Sequence, residues 1–206
     1  MGARGYRSAV RARHAEDTRR SILEAAARLF AEQGYARTSV AAVAAAAGVA
    51  VNTVYTSVGN KPALVMAMSE DGAADAVAVE AERRIGECDD PREILRIVAD
   101  GTGRVRRHRW ETLEILLDNR NADPDVAAAA DLATRAVRDR LEVVAARLVA
   151  VGGLRDGLAG RQVEQVLWFY FGFEAWRTVR GFGWSWQDSA DWLAEQATRA
   201  LLPAEG

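Results

Sequence analysis

Residues 38–64, TSVAAVAAAAGVAVNTVYTSVGNKPAL, restrict this chain more than any other stretch. Val40 to Ala47 are all valine or alanine, and Gly48 interrupts them. A second short segment then carries Asn52, Thr53, Tyr55 and Ser57, followed by Asn60, Lys61 and Pro62. Alanine is the best helix former, and glycine tolerates the left-handed backbone that ends a helix. Small side chains let helices approach closely. A short apolar helix, a glycine turn and a second short helix with polar groups outward is the pattern of a helix-turn-helix.

The details fit that pattern. Thr38 and Ser39 offer hydroxyls to the first free amides of one helix. Val40, Val43, Ala44 and Ala47 fall on one face of it. The next helix is expected over 51–56, with Val51 and Val54 inward and Asn52, Thr53 and Tyr55 outward. Asparagine pairs with adenine through two hydrogen bonds, threonine meets a thymine methyl or a phosphate, and tyrosine donates to phosphate. Ser57 and Lys61, the only lysine, follow beside the start of another helix, whose amides favour an anion. Candidate DNA-binding residues are therefore Thr38, Ser39, Asn52, Thr53, Tyr55, Ser57 and Lys61. For Thr53 and Tyr55 the alternative is capping and packing alone.

Charge supports a polyanionic partner. Residues 1–61 hold nine basic side chains against four acidic ones, on a chain of net charge −2. A basic end on an acidic body suits DNA, although a solvated basic tail gives the same balance. Residues 1–16 are expected to be a flexible basic arm, 17–60 the helix-turn-helix domain and 61–206 a regulatory domain.

Elsewhere the chain is rich in alanine, leucine, arginine and glutamate and has no alternating strand pattern, so the fold class is all-α, with about nine helices. The first should span 17–33, capped by Asp17, with Ile22, Ala25, Ala26, Leu29 and Phe30 on one face. A long helix over 61–86 follows. Gly101 and Gly103 are expected to kink or divide the next one. Others are expected over 110–119, 124–151, 160–180 and 185–202. The last two, with the turn between them, hold five of the six tryptophans. A helix that is apolar around most of its circumference is buried on two sides.

Several classes are excluded or disfavoured. Cys88 stands alone, so no intrachain disulfide forms, which fits a reducing cytoplasm. The arginines near the N-terminus precede no apolar signal segment, and no run is apolar enough to span a membrane. His14 and His108 lack metal-ligand partners, and no phosphate loop or nucleophile elbow is present. No enzyme, cofactor or metal is expected.

Residues 18–64 resemble the N-terminal domain of the TetR family of bacterial transcriptional regulators. The resemblance rests on Phe30-Ala-Glu-Gln-Gly34-Tyr35, Thr38-Ser39-Val40, Ala44, Ala47-Gly48-Val49, Thr53-Val54-Tyr55 and Lys61-Pro-Ala-Leu64, all in register. Three departures stand out. Ala50 replaces the usual serine cap of the recognition helix, Ser57-Val58 replaces a His-Phe pair, and Gly59 adds a joint.

The resemblance implies a homodimeric regulator, a repressor first and an activator second, that binds a palindromic operator and is released by a small molecule. It also implies a dimer seam on the last two helices, where Phe169, Phe173, Arg177, Trp192, Gln196 and Arg199 are candidates. Trp110, Leu113, Leu117, Trp168, Phe171 and Trp176 are candidates to line a cavity for a small apolar or aromatic effector, with core filling as the alternative. Two other readings stay open: a DNA-binding dimer without effector, and a helical ligand-binding or enzymatic protein that has lost DNA binding.

Overall fold

The computed structural model describes the backbone at residues 3–68, 72–121 and 123–204, and side chains at 10–11, 13–68, 76–121 and 123–204. Ten helices occupy the described residues, without strands: α1 (Ala3–Gln33), α2 (Val40–Ala47), α3 (Val51–Ser57), α4 (Lys61–Met68), α5 (Gly72–Glu87), α6 (Pro91–Asp118), α7 (Pro124–Val151), α8 (Gly160–Phe171), α9 (Phe173–Gly181) and α10 (Trp186–Leu201). No single helix among them is long and apolar enough to cross a membrane. They form two compact units. The first comprises Met1–Glu70 with Trp110–Asp131, and the second Asp71–Arg109 with Leu132–Gly206.

The first unit is organised by α1. Ile22, Ala25, Ala26, Leu29 and Phe30 make one buried stripe, joined by Tyr35, Val43, Ala44, Val54, Leu64 and Val65. Leu116, Val126, Ala129 and Ala130 share this core, so parts of α6 and α7 expected in the regulatory region pack in the first unit. α1 starts well before the expected Asp17, because its arginine- and alanine-rich beginning contains no helix breaker after Gly5. Asp17 is therefore no cap; it pairs with Arg20 at 3.0 Å. Of the expected arm, Arg4 and Arg7 lie outside the described side chains, while Arg11 and Arg13 are exposed on α1.

In the second unit α8 packs on both α9 and α10. Three boundaries differ from the sequence expectation. The helix expected over 61–86 is described as α4 and α5, on either side of the undescribed 69–71. Gly101 and Gly103 do not divide α6, which runs unbroken through them. They are points of close approach instead: a Cβ on Gly101 would lie 2.9 Å from the Ala81 Cβ, and one on Gly103 2.5 Å from the Trp176 ring. The break falls at Gly172, which is extended (φ −68°, ψ 169°) and separates α8 from α9. A Cβ there would sit 2.4 Å from the Trp168 carbonyl oxygen.

Candidate functional site

The loop before α2 is closed by Thr38. It is buried, and its hydroxyl donates to the carbonyls of Leu29 at 3.2 Å and Gly34 at 3.0 Å. Thr38 is therefore turned into the core and not outward as the sequence expectation had it; the Leu29 carbonyl in the last turn of α1 and the Gly34 carbonyl just beyond that helix hold its side chain there. Ser39 is exposed and caps α2, accepting from the Ala42 amide at 3.1 Å. Gly48 ends α2 in the left-handed region (φ 69°), and its amide and that of Val49 return to the carbonyls of Ala45 and Ala44. The turn sets α3 at 99° to α2, within the range of helix-turn-helix pairs.

α3 is seven residues long, and its two faces are distinct. Val54 is fully buried against the core, flanked by half-buried Thr53, Ser57 and Val58. The opposite face exposes Val51, Asn52, Tyr55 and Thr56. Val51 is 42% exposed rather than inward, since it opens the helix beyond the reach of α1's stripe. Sequence reading missed Thr56. The available signal was helical spacing: Thr56 lies one turn beyond Asn52, as Tyr55 does beyond Val51. The Thr56 hydroxyl donates to the Asn52 carbonyl at 3.0 Å, leaving its lone pairs outward. Ala50 begins α3 with no side-chain cap, and the Arg19 guanidinium closes the other end on the Ser57 carbonyl at 3.0 Å.

Lys61 is half-buried. Its ammonium lies 4.0 Å from the centre of the Tyr35 ring and donates to the Ala36 carbonyl at 3.3 Å. Burial pushes its pKa down. An ammonium has three donors, so this seating leaves capacity for an anion. Asn60 caps α4 through the Ala63 amide at 3.0 Å.

The second unit holds a cavity of about 490 Å³, lined by α5, α6 and α7. Its walls are mostly apolar, with Ala78, Ile85, Val98, Val105, Leu141 and Val144 among them. None of the six aromatic and leucine residues expected to bind an effector lines it. Trp110, Leu113 and Leu117 belong to the first unit, while Trp168, Phe171 and Trp176 belong to the second. Phe171 and Trp176 are fully buried, with Trp176 packed on Gly103, and Trp168 stacks on the Arg138 guanidinium at 4.2 Å.

Charged groups at the cavity are mostly paired. Arg140 donates to Glu82 at 2.9 Å and Arg147 to Asp89 at 2.6 Å. Arg106 differs. It is 4% exposed, and one terminal nitrogen donates to the Phe171 carbonyl at 2.6 Å. Its Nε has no hydrogen-bond partner, and no described carboxylate pairs with it. Burial pushes its pKa down to about 10, so it stays charged at neutral pH.

The residues expected at a dimer seam divide by exposure. Phe169 is 71% exposed, Trp192 is partly so, Gln196 is half-buried, and Arg199 is exposed beside Glu195. Arg177 is half-buried. Phe173 is buried within its own unit, its ring 5.9 Å from the Arg106 guanidinium, and so does not face outward as expected. The open end of this surface adds Phe182, Trp184 and Trp192, whose rings meet edge-on at 5.5 and 5.7 Å.

Residues 22–68 match the family described as bacterial regulatory proteins, tetR family. No curated protein sequence matches the chain. Solved structures with a similar fold include NalD, the secondary repressor of the MexAB-OprM multidrug efflux pump in Pseudomonas aeruginosa. It is 23% identical with a TM-score of 0.73, over 94% of this chain and 100% of that one. The SmeT–triclosan complex is 23% identical with a TM-score of 0.71, over 91% and 92%. FadR from Bacillus subtilis, in complex with stearoyl-CoA, is 18% identical with a TM-score of 0.67, over 86% and 96%.

Proposed function

We propose that this chain, which carries a TetR-family DNA-binding domain within the fold shared with NalD and SmeT, is a transcriptional repressor. It binds a palindromic operator as a homodimer, and a small molecule in the cavity of the second unit releases it. The observation that carries this reading is the outward row of α3 on a helix pair set at 99°. A helix so presented lies in the major groove, with its first residues on base edges. Asn52 reads adenine, Val51 and Thr56 meet thymine methyls or phosphate, and Tyr55 donates to phosphate. Ser39 and Lys61 hold the backbone on either side, with Thr53 and Ser57 on the flank of the same helix.

The dimer places two such helices in half-sites one helical turn, about 34–36 Å, apart. Its seam is the outward surface of α8 and α10, with Phe169, Trp192, Gln196 and Arg199. Support for an effector comes from the apolar cavity and from the ligands named for SmeT and FadR. A coupling of about 1–3 kcal/mol between cavity and operator changes affinity about 5–150-fold. The reading sets the protein in the cytoplasm, with the chromosome.

The test uses DNA from upstream of the protein's own gene, with binding measured by fluorescence anisotropy across a salt series. Asn52→Ala is expected to weaken binding by about 1–3 kcal/mol and to relax preference at one base position. Tyr55→Ala is expected to weaken it at every sequence. Both should leave the dimer intact. Operator affinity that ignores both substitutions would remove α3 from the interface.

A further inference from the structure

Arg106 stands out within the second unit. An isolated buried charge is strongly disfavoured unless it is paired. Other guanidiniums at this cavity meet that requirement: Arg140 has Glu82 and Arg147 has Asp89. Arg106 meets only neutral groups, the Phe173 ring at 5.9 Å and the Phe171 carbonyl, which the break at Gly172 leaves at the end of α8. A helix C-terminus carries partial negative charge, about half a unit, and so offsets the cation incompletely. Its Nε remains a buried donor without a partner. The Thr102 hydroxyl, one helical turn before Arg106, donates to the Val98 carbonyl at 2.7 Å and is not within hydrogen-bonding reach of this Nε. Arg106 itself lines the cavity, beside Val98, Val105, Leu141 and Val144.

We propose that the cavity takes an amphipathic anion, an apolar chain or ring system bearing one carboxylate, and that Arg106 is its counter-ion. The apolar body lies against α5, α6 and α7, and the carboxylate accepts from the unused guanidinium N–H groups. A guanidinium matches a carboxylate in charge and in planar, two-pronged geometry. A neutral ligand of the same shape fills the cavity but leaves the cation unpaired. A quaternary ammonium ligand meets a like charge at the cavity wall. This inference rests on the effector cavity proposed above and adds the chemical class of what enters it.

The probes are decanoate, 1-decanol and decyltrimethylammonium, each titrated below its aggregation threshold into the full-length dimer by calorimetry and by thermal shift. Decanoate is expected to bind at least about tenfold more tightly than 1-decanol, the margin of one charge-assisted hydrogen bond, and decyltrimethylammonium most weakly. Arg106→Met should erase the preference while retaining 1-decanol binding, which also reports that the variant is folded. Arg106→Lys should keep the order of the three. Equal binding of decanoate and 1-decanol by the unaltered protein, binding of none of the three, or a preference that survives Arg106→Met each overturns the proposal. Operator release is read separately by gel shift. Decanoate held through Arg106 by a protein that stays on its operator supports the anion site and overturns the effector reading. Operator release by 1-decanol at the same concentration as decanoate supports the effector reading and overturns the anion site.

Discussion

Tyr35 ties three parts of the first unit together. Its ring packs on Phe30 at 5.4 Å, carries the Lys61 ammonium above it, and its hydroxyl points at Asp123 at 3.5 Å. Asp123 in turn caps α7 through the Asp125 and Val126 amides. Burial first, and the Asp123 carboxylate second, raise the phenol's pKa above its ordinary value of 10. A raised folded-state pKa means that the unfolded chain releases its proton first, so the stabilisation is complete below pH 10 and is lost as pH climbs beyond it. Urea midpoints measured between about pH 9 and 11 should therefore fall faster for the unaltered protein than for Tyr35→Phe. Lys61, whose pKa is lowered, is common to both proteins. Parallel decline in the two would show that the phenol titrates as it does in water.

Single residues also mark the edge of what the sequence discloses. Asn52 and Tyr55 are legible as outward because the helix period around Val54 is local. Thr38 is not, since its hydroxyl is claimed by carbonyls four and nine residues back, a geometry that depends on where α1 stops. Arg106 hides in the run RVRRHR, which reads as solvated. Its phase was the available clue: it lies four residues after Thr102 and eight after Val98, on the stripe that α6 buries.

At the scale of elements, α3 is held by its neighbours more than by its own ends. Its N-cap position is Ala50, already extended (φ −72°, ψ 149°), which is the backbone a capping hydroxyl uses. Ala50→Ser should therefore stabilise the protein by about 0.5–2 kcal/mol, seen as a higher urea midpoint at unchanged slope. A lower midpoint would mean that the side chain cannot turn back to the α3 amides. Gly103 presents the opposite case. Replacing it with alanine would put a Cβ 2.5 Å from the rigid Trp176 ring, and Gly103→Ala should cost about 1–3 kcal/mol despite alanine's better helix propensity. A stabilised variant would show that Trp176 has room to move. These elements explain why the second unit was less legible than the first. Glycine in a helical pattern signals a break or a close approach, and the sequence does not distinguish them. Gly101 and Gly103 are close approaches within α6, whereas Gly172, set between the apolar runs LWFYF and FEAW, is the break.

At the scale of the whole molecule, the proposed dimer covers exposed aromatics of α8 and α10. Phe169 is 71% and Trp192 38% exposed. In the proposed dimer they meet their copies, so a charge on each is repelled by its twin. Phe169→Glu combined with Trp192→Glu should give a monomer by sedimentation and should lower operator affinity, since one reading unit grips only one half-site. A double variant that sediments as the parent does would move the seam elsewhere.

Lys61 is the only lysine and Cys88 the only cysteine. One lies in the first unit and the other in the second. Apart from the α-amine, the protein thus offers one amine and one thiol to selective labelling, with no residue exchanged. The lowered pKa of Lys61 leaves more of it as free, nucleophilic amine than an ordinary lysine has at mildly alkaline pH. Acylating Lys61 should therefore weaken operator binding, whereas a dye on Cys88 reports on the second unit and leaves the DNA-facing side chains untouched.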